Sequence, residues 1–137
     1  MRHHATAHWS GSGKDGNGEV TTQSFLLDKS AFSFNSRFAD ANGTNPEELL
    51  AAAHATCFTM KLSFVLGEAG YEPGSLETTC YISFENGYIT GSHLIVRAKV
   101  SRISKEVFDA CILETKETSP MTRIVNAKTI VEAMLVG

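Results

Sequence analysis

The feature of this sequence that most constrains its fold is a long segment that starts like a helix and then carries almost no charge. Asn45 stands at a capping position, Pro46 follows at the first helical position, and Glu47 and Glu48 occupy the first turn. After these glutamates, Lys61 is the only charged side chain before the helix-ending segment GEAGYEPG. A helix that is apolar on nearly every face belongs in a protein core or between subunits.

The residues on either side of this helix predict strands. Residues 4–12 and 18–28 are rich in alternating or β-favouring side chains, and the glycine-rich GSGKDGNG between them indicates a turn. Residues 31–43 begin with alternating phenylalanines and end in a loop. Residues 76–85 and 89–101 predict a second pair of strands, joined by a short turn at an Asn-Gly dipeptide.

The last third of the chain predicts two more helices and a final strand. Ser104 can cap an amphipathic helix that continues to Glu117, and Ser119 stands at the capping position of a short helix, SPMTRIVN. AKTIVEAMLV then closes the chain as a strand. This order of elements predicts an α+β fold with antiparallel sheets, and a length of 137 residues predicts a single domain, 1–137.

The charge and hydropathy of the chain exclude several classes of partner. The net charge is −3, from 12 Lys and Arg against 15 Asp and Glu, and no basic stripe is present, so no nucleic-acid partner is expected. No stretch reaches about 18 uninterrupted apolar residues, and the N-terminal MRHHATAHW has no apolar signal core. We therefore expect a cytoplasmic protein with no membrane partner.

Three cysteines, Cys57, Cys80 and Cys111, are the possible sites of thiol chemistry. None belongs to a CxxC pair, so no structural zinc site is expected, and an odd count in a reducing compartment argues against a disulfide framework. Cys80 on a strand and Cys111 on the apolar side of a helix are interpreted as small buried hydrophobes. The same interpretation applies first to Cys57, since free cysteine is among the most buried residue types.

The neighbours of Cys57 give it a second interpretation, as a catalytic thiol. His54 lies one helical turn earlier and either interacts with a thiolate or is a core histidine with one hydrogen bond. Arg37 is the nearest guanidinium upstream, and it either favours the nucleophilic thiolate or is a solvated loop cation. Glu47 and Glu48 lie at the positive end of the helix dipole, where carboxylates are favourable. This alone is sufficient to explain the presence of at least one of them.

Several motifs together resemble one known family. GTNPEELLAAAHATCFTMKLSFVLGEAGY is similar to the core helix of the OsmC family, the group of osmotically inducible protein C and organic hydroperoxide resistance (Ohr) proteins. AHWSG, FNSRF, FDACILETKETSPMTR and NAKTIVEAML extend the resemblance over nearly the whole chain. The resemblance implies an antioxidant thiol peroxidase of oxidative or osmotic stress that prefers organic hydroperoxides. It also implies an intertwined α+β homodimer, with antiparallel sheets around long central apolar helices.

The resemblance also implies the residues of the active site. The family's peroxide-attacking cysteine falls on Cys57, the glutamate of its NPE motif on Glu47, and the arginine of the OsmC branch on Arg37 of FNSRF. The hydroperoxide-resistance branch takes its arginine from the first turn, where this chain offers only Lys14, so we prefer Arg37. No metal or organic cofactor is implied, and the reductant is an external thiol or dithiol.

The spacing of two of these residues bears on the oligomeric state. Glu47 and Cys57 are ten residues apart, which is about 15 Å along the axis of an unbroken helix. If both serve one small site, either the helix is broken or Glu47 comes from the other chain. Two antiparallel copies of the apolar helix, packed on one another, would provide the second arrangement and would explain why so few faces of the helix are polar.

One position departs from the family pattern. The family's second cysteine precedes a proline in a Cys-Pro-x-Ser/Thr motif, and this chain has Ser119-Pro120-Met121-Thr122 there. A hydroxyl forms no disulfide, so Ser119 cannot resolve a sulfenic acid on Cys57, although it could hydrogen-bond Cys57 and cap its own helix. Cys111 lies eight residues earlier, about 12 Å away on one helix, and would need a bend to act as a substitute.

Two kinds of function follow from these residues. In the first, Cys57 attacks the distal oxygen of an organic hydroperoxide, Arg37 stabilises the thiolate and orients the peroxide, and Glu47 holds Arg37. Without a second cysteine, the enzyme would be resolved directly by an external thiol. Apolar side chains of the same helix would favour alkyl over hydrogen peroxide: Leu50, Phe58 and Met60. In the second, the protein is non-catalytic and binds an apolar ligand or a partner, or it is a sensor whose sulfenic acid a partner reads.

Overall fold

The computed structural model describes residues 1–39 and 41–137, which form two compact units, Met1–Leu49 and Leu50–Gly137. Helix α2 begins in the first unit and continues through the second. In chain order the elements are β1 (Ala5–Ser10), β2 (Asn17–Thr22), β3 (Ser30–Phe32), α1 (Phe34–Phe38), α2 (Pro46–Glu68), β4 (Pro73–Glu85), β5 (Tyr88–Val100), α3 (Lys105–Thr118), α4 (Pro120–Ile124) and β6 (Lys128–Leu135).

The first unit is built on an antiparallel sheet with the strand order β1-β2-β3. Gly18 of β2 lies between Trp9 of β1 and Phe32 of β3 in the register, and the two aromatic rings are 5.5 Å apart between centroids. A Cβ on Gly18 would come within 2.5 Å of the Phe32 ring and 2.7 Å of the Trp9 ring. The absent side chain of Gly18 therefore lets the two rings pack together over the strand.

The strand predicted for residues 18–28 ends earlier, at Thr22. The Thr22 hydroxyl accepts a hydrogen bond from the Leu27 N–H at 3.1 Å and donates one to the Leu27 carbonyl at 3.3 Å. Phe25 adopts φ 61, which is outside the range of an extended strand. Such side-chain bonds to the backbone compete with the strand ladder, so the apolar Phe25 and Leu26 lie exposed in a loop instead.

Helix α1 stands where the sequence predicted alternation followed by a loop. Ser33 accepts a hydrogen bond from the Ser36 N–H at 3.0 Å, and the Ser36 hydroxyl accepts one from the Ser33 N–H at 2.7 Å. This reciprocal capping box uses serine where glutamate or glutamine is usual, and it starts a helix of five residues. The helix matters for function because it carries Arg37.

The second unit contains the sheet with strand order β4-β5-β6. Strands β4 and β5 form a long antiparallel hairpin whose turn has positive φ at Asn86 (53°) and Gly87 (84°), the geometry that an Asn-Gly hairpin turn requires. Strand β6 pairs with β5 in parallel, because the connection through α3 and α4 is long enough for a crossover. The α+β class is confirmed, and the second sheet is mixed rather than wholly antiparallel.

The core of the second unit lies between this sheet and the helices α2 and α3. Helix α2 is long and apolar enough to cross a membrane by length and composition alone. One side of it is buried in the protein instead, as is usual for the central helix of a folded domain. The buried apolar side chains come from both helices and from β5: Phe58, Leu62, Val65, Leu66, Leu94, Val96, Ala98, Phe108, Cys111 and Ile112.

Candidate active site

Cys57 is a half-buried thiol in the middle of helix α2, next to a buried hydroxyl. Its Sγ lies 3.5 Å from the Oγ of Ser119, and either atom can donate the hydrogen bond. Ser119 is completely buried at the junction of α3 and α4, where its backbone N–H donates to the Thr115 carbonyl at 2.8 Å. The structure thus brings together the two residues that the family pattern pairs as cysteines.

Ser119 occupies the capping position of α4, as the sequence predicted, but its side chain makes no capping hydrogen bond. Its hydroxyl is directed to Cys57 instead. The Thr122 N–H in the first turn of α4 donates to the Ser119 backbone carbonyl at 3.1 Å, so this donor is satisfied without a side-chain cap. Of the two roles expected for Ser119, the structure therefore supports the contact with Cys57.

Arg37 and Glu47 form a bidentate ion pair within the first unit. The Arg37 Nε donates to both Glu47 carboxylate oxygens, at 2.9 and 3.1 Å, and its Nη2 lies 2.5 Å from Oε1. The Glu47 side chain is only 14 % exposed, against 33 % for Arg37. Two parallel N–H···O bonds fix the plane of the guanidinium as well as its position. Lys14, the alternative cation, lies exposed in the turn between β1 and β2.

The two glutamates at the start of α2 have different tasks. Asn45 caps the helix, because its Oδ1 accepts a hydrogen bond from the Glu48 N–H at 2.8 Å. The Glu48 carboxylate accepts a bond from the Thr44 hydroxyl at 2.7 Å and so stabilises the helix entrance. Glu47 is left to hold Arg37. Of this pair, Glu47 contacts Arg37, and Glu48 has a structural role at the start of the helix.

His54 is completely buried, and both of its ring nitrogens have hydroxyl partners. Its Nδ1 lies 2.6 Å from the Oγ of Ser92 on β5, and its Nε2 lies 3.1 Å from the Oγ1 of Thr122 on α4. Burial lowers the pKa of His54, so the imidazole is neutral at pH 7 and uses one nitrogen as donor and the other as acceptor. The nitrogens are thus already paired without the Cys57 thiolate, the partner that the spacing suggested.

The other two cysteines are poor candidates for redox chemistry. Cys111 is only 4 % exposed in the core between α3 and the sheet. Burial raises the pKa of the Cys111 thiol, and the nearby carboxylate of Glu114 raises it further. Burial also raises the pKa of Cys80, although a hydrogen bond with Ser92 partly offsets this. Both thiols are therefore held in the protonated, unreactive form at neutral pH.

The three residues expected to form an apolar wall beside Cys57 differ in their exposure. Phe58 is completely buried in the core and cannot contact a substrate. Met60 is 64 % exposed and lines an open groove of about 380 Å³ with Thr59, Ser63 and Leu76 among its other walls. Leu50 is half-buried. The error arose because helical spacing alone does not say which face of an all-apolar helix meets the sheet.

Neither Ser92 nor Thr122 was expected to contact His54 from the sequence, although Thr122 stands at the last position of the Ser119-Pro120-Met121-Thr122 motif. Both lie far from His54 along the chain, and only the packing of β5 and α4 against α2 brings their hydroxyls to the imidazole. For Ser92, the available signal was its inward position on an alternating strand. Within residues 1–39 and 41–137, no three His, Cys, Asp or Glu side chains converge as they would to hold a metal ion.

Comparison with known proteins agrees with these observations. The sequence profile of the OsmC family, described as OsmC-like protein, matches residues 39–133. The proteins called Peroxiredoxin OsmC from Escherichia coli strain K12 and from Shigella flexneri are each 41 % identical over 133 residues, covering 94 % of this chain and 93 % of the relative.

Solved structures agree with the same fold. The OsmC-like protein from Mycoplasma pneumoniae superposes with a TM-score of 0.79 at 14 % identity, covering 100 % of this chain and 99 % of that one. The organic hydroperoxide resistance protein OhrB of Bacillus subtilis gives 0.68 at 23 % identity, covering 97 % and 98 %. The match to the family profile and the identity to the curated relatives establish the family: this chain belongs to the OsmC family.

Proposed function

We propose that the protein is a thiol peroxidase that reduces organic hydroperoxides through Cys57. The observation that carries the proposal is the half-buried Cys57 thiol, held 3.5 Å from a buried Ser119 hydroxyl in a chain 41 % identical to a protein named Peroxiredoxin OsmC. The contact with the Ser119 hydroxyl gives the sulfur a fixed polar neighbour at the point where a peroxide would be attacked. Two observations support organic hydroperoxides as the substrate class. The fold is similar to that of the organic hydroperoxide resistance protein OhrB, and helix α2, which carries Cys57, is largely apolar.

The first half of the reaction needs only Cys57 and the peroxide. The thiolate sulfur attacks the distal oxygen of ROOH, an S–O bond forms, and the O–O bond breaks. The leaving alkoxide takes up a proton and departs as the alcohol, while sulfur is oxidised to a sulfenic acid. Arg37, held in plane by Glu47, would orient the peroxide and stabilise the developing negative charge on the leaving oxygen.

The second half must use external thiols, because Ser119 offers no sulfur. One thiol condenses with the Cys57 sulfenic acid, which releases water and leaves a mixed disulfide. A second thiol attacks that disulfide, regenerates Cys57 and departs as the oxidised external disulfide. The buried, protonated Cys111 makes internal resolution by that residue a poor alternative. The enzyme is thus proposed to be a one-cysteine peroxidase with an external thiol or dithiol reductant and no metal.

We further propose that the site is completed in a homodimer. Helix α2 runs without a break from Pro46 to Glu68, so Glu47 and Cys57, ten positions apart, are separated by about 15 Å along its axis. Of the two arrangements that the spacing allowed, the unbroken helix favours a Glu47 supplied by the other chain. The exposed Met60 (64 %) and Phe64 (65 %), one turn apart on α2, provide an apolar surface for a second copy of the helix.

Mixing two inactive variants tests whether the site is shared. Cys57→Ser and Glu47→Gln are each expected to have little activity alone. If one chain supplies Cys57 and its partner supplies Glu47, a mixed dimer regains one intact site, so the mixture should consume peroxide faster than either variant. A site built within one chain would give no such recovery. Dimer formation is checked by light scattering, with Phe64→Glu expected to weaken it.

The central experiment measures cumene hydroperoxide consumption with a monothiol or a dithiol as reductant, with the intact mass read at each stage. Sustained turnover with a sulfenic acid or mixed disulfide on Cys57 supports the proposal, and Cys57→Ser should abolish it. Turnover by Cys57→Ser at the wild-type rate would refute Cys57 as the nucleophile.

The serine at 119 favours one competing function, a sensor or binding protein that has lost the redox cycle. In that case Cys57 would be oxidised once without further turnover, or would not react, and a bound apolar ligand or a partner would be sought.

The free thiols of Cys57, Cys80 and Cys111 suit the cytoplasm, which we propose as the location of the protein. We also propose that the two compact units belong to one OsmC-like domain, since the similarity to the relatives named Peroxiredoxin OsmC covers 94 % of the chain and so extends over both units.

A further inference from the structure

The short helix α4 is held to α2 by two side-chain contacts that lie side by side. On α2, His54 and Cys57 are three residues apart and so lie on one face of the helix. On α4, their partners Thr122 and Ser119 are also three residues apart. His54 bonds Thr122 at 3.1 Å, and Cys57 contacts Ser119 at 3.5 Å. The contacts therefore form two parallel rungs between the helices.

Helix α4 has few other means of holding its position. It has only five residues, and none of them is buried. A helix of this length has no stability of its own in water. The Thr122 N–H donates to the Ser119 carbonyl at 3.1 Å, so a restraint on Thr122 is transmitted through one turn of backbone to Ser119.

The other end of the His54 rung is anchored in the core. The Ser92 hydroxyl at Nδ1 is only 2 % exposed, on the central strand of the sheet β4-β5-β6. Ser92 also contacts the Cys80 thiol at 3.2 Å, which fixes the hydroxyl from a second side. The two groups that hydrogen-bond the imidazole, Ser92 on β5 and Thr122 on α4, are uncharged hydroxyls. The imidazole is thus a rigid link between the sheet and α4.

We propose that His54 is a positioning residue for the reactive thiol: through Thr122 it holds α4 in place, and so keeps the Ser119 hydroxyl against Cys57. The inference rests on the proposed function only in taking Cys57 as the reacting group. A core histidine that merely fills space would support the fold without affecting Cys57. The two roles can be distinguished by removing the Thr122 hydroxyl, which contacts His54 and not Cys57. Only the positioning role predicts that this removal changes the reaction rate of Cys57.

Thr122→Val removes the rung with little change of shape, and Thr122→Ser keeps it. The rate constants of Cys57 with iodoacetamide and with cumene hydroperoxide are measured by peptide-resolved mass spectrometry. Thr122→Val should slow Cys57 by about fivefold, the change that corresponds to one neutral hydrogen bond. Thr122→Ser should recover most of the rate. Thr118→Val is the matched control, since the Thr118 hydroxyl donates to the Glu114 carbonyl of its own helix, at an exposed hydrogen bond.

A double-mutant cycle with Ser119→Ala separates positioning from general destabilisation. If Thr122 acts through Ser119, the double variant reacts like Ser119→Ala alone, so the two effects are not additive. Additive effects, or a lower melting temperature with an unchanged Cys57 rate, would overturn the inference. If wild-type protein does not react with the peroxide, the proposed function fails, and the iodoacetamide rates still decide the role of His54.

Discussion

Replacing Ser119 by cysteine should convert the proposed one-cysteine cycle into an internal two-cysteine cycle. The Ser119 Oγ lies 3.5 Å from the Cys57 Sγ. A disulfide needs a sulfur–sulfur distance of about 2.05 Å, so the side chains must approach by roughly 1.5 Å. The longer C–S bond of cysteine provides part of this approach, and α4 has no buried residue to resist a small shift. One equivalent of cumene hydroperoxide should therefore produce a disulfide between residues 57 and 119.

The size of the resulting stabilisation follows from the length of the closed loop. The two positions are 62 residues apart in sequence. The chain-entropy relation for a loop of this length gives about 4 kcal/mol at 25 °C, as an upper value before any strain in the folded state. With a urea slope of about 2 kcal/mol/M, the midpoint of unfolding should rise by about 2 M on oxidation.

The assay compares urea unfolding of the variant before and after one equivalent of peroxide, with intact mass showing the loss of two hydrogens. The reduced variant is its own control, and the Cys57→Ser/Ser119→Cys double variant should show neither the mass change nor the stabilisation. Oxidation of Cys57 to sulfenic and sulfinic acids without a disulfide would refute the reasoning. It would mean that the two side chains do not meet in solution as they do in the structure.

Three further predictions concern stability. Because burial lowers the pKa of His54, the unfolded chain binds more protons below pH 6.5, and the unfolding free energy should fall as pH drops through that value. The slope should be at most about 1.4 kcal/mol per pH unit for this one group and should be absent in His54→Phe. Calorimetry of Leu62→Ala, at a fully buried site, should show a loss of about 2–5 kcal/mol. The exposed Leu113→Ala should change stability by no more than about 0.5 kcal/mol. Ser104→Ala removes the cap of α3 and should destabilise it by about 1 kcal/mol in chemical denaturation.

The elements with local signals were predictable from the sequence. Helix α2 starts at Pro46 with Asn45 as its cap, α3 starts after the Ser104 cap, and the Asn86–Gly87 turn joins β4 and β5. In each case a single residue type is favoured by a backbone conformation or an unsatisfied N–H in its immediate neighbourhood. Such signals do not depend on the rest of the fold.

The features that the sequence did not reveal depend on contacts between distant segments. The early end of β2 depends on Thr22 bonding across a loop, and the parallel pairing of β6 depends on the path of α3 and α4. Apolar side chains cover nearly every face of α2, so the sequence does not show which face is buried. Phe58 was therefore assigned to the apolar wall beside Cys57, although it lies in the core. Arg37 was placed in a loop because a serine capping box is an uncommon start for a helix.

The exchange of cysteine for serine at position 119 separates two demands that the family pattern combines in one residue. The buried junction between α3 and α4 needs a small side chain that can bond the thiol of Cys57, and serine meets this demand through its hydroxyl. Resolution of a sulfenic acid needs a second sulfur, and serine cannot provide it. The hydrogen bond between Thr122 and His54 does not involve the Ser119 side chain. The fold and the first half of the proposed reaction are therefore compatible with serine, and in the proposed cycle the change falls on the reductant.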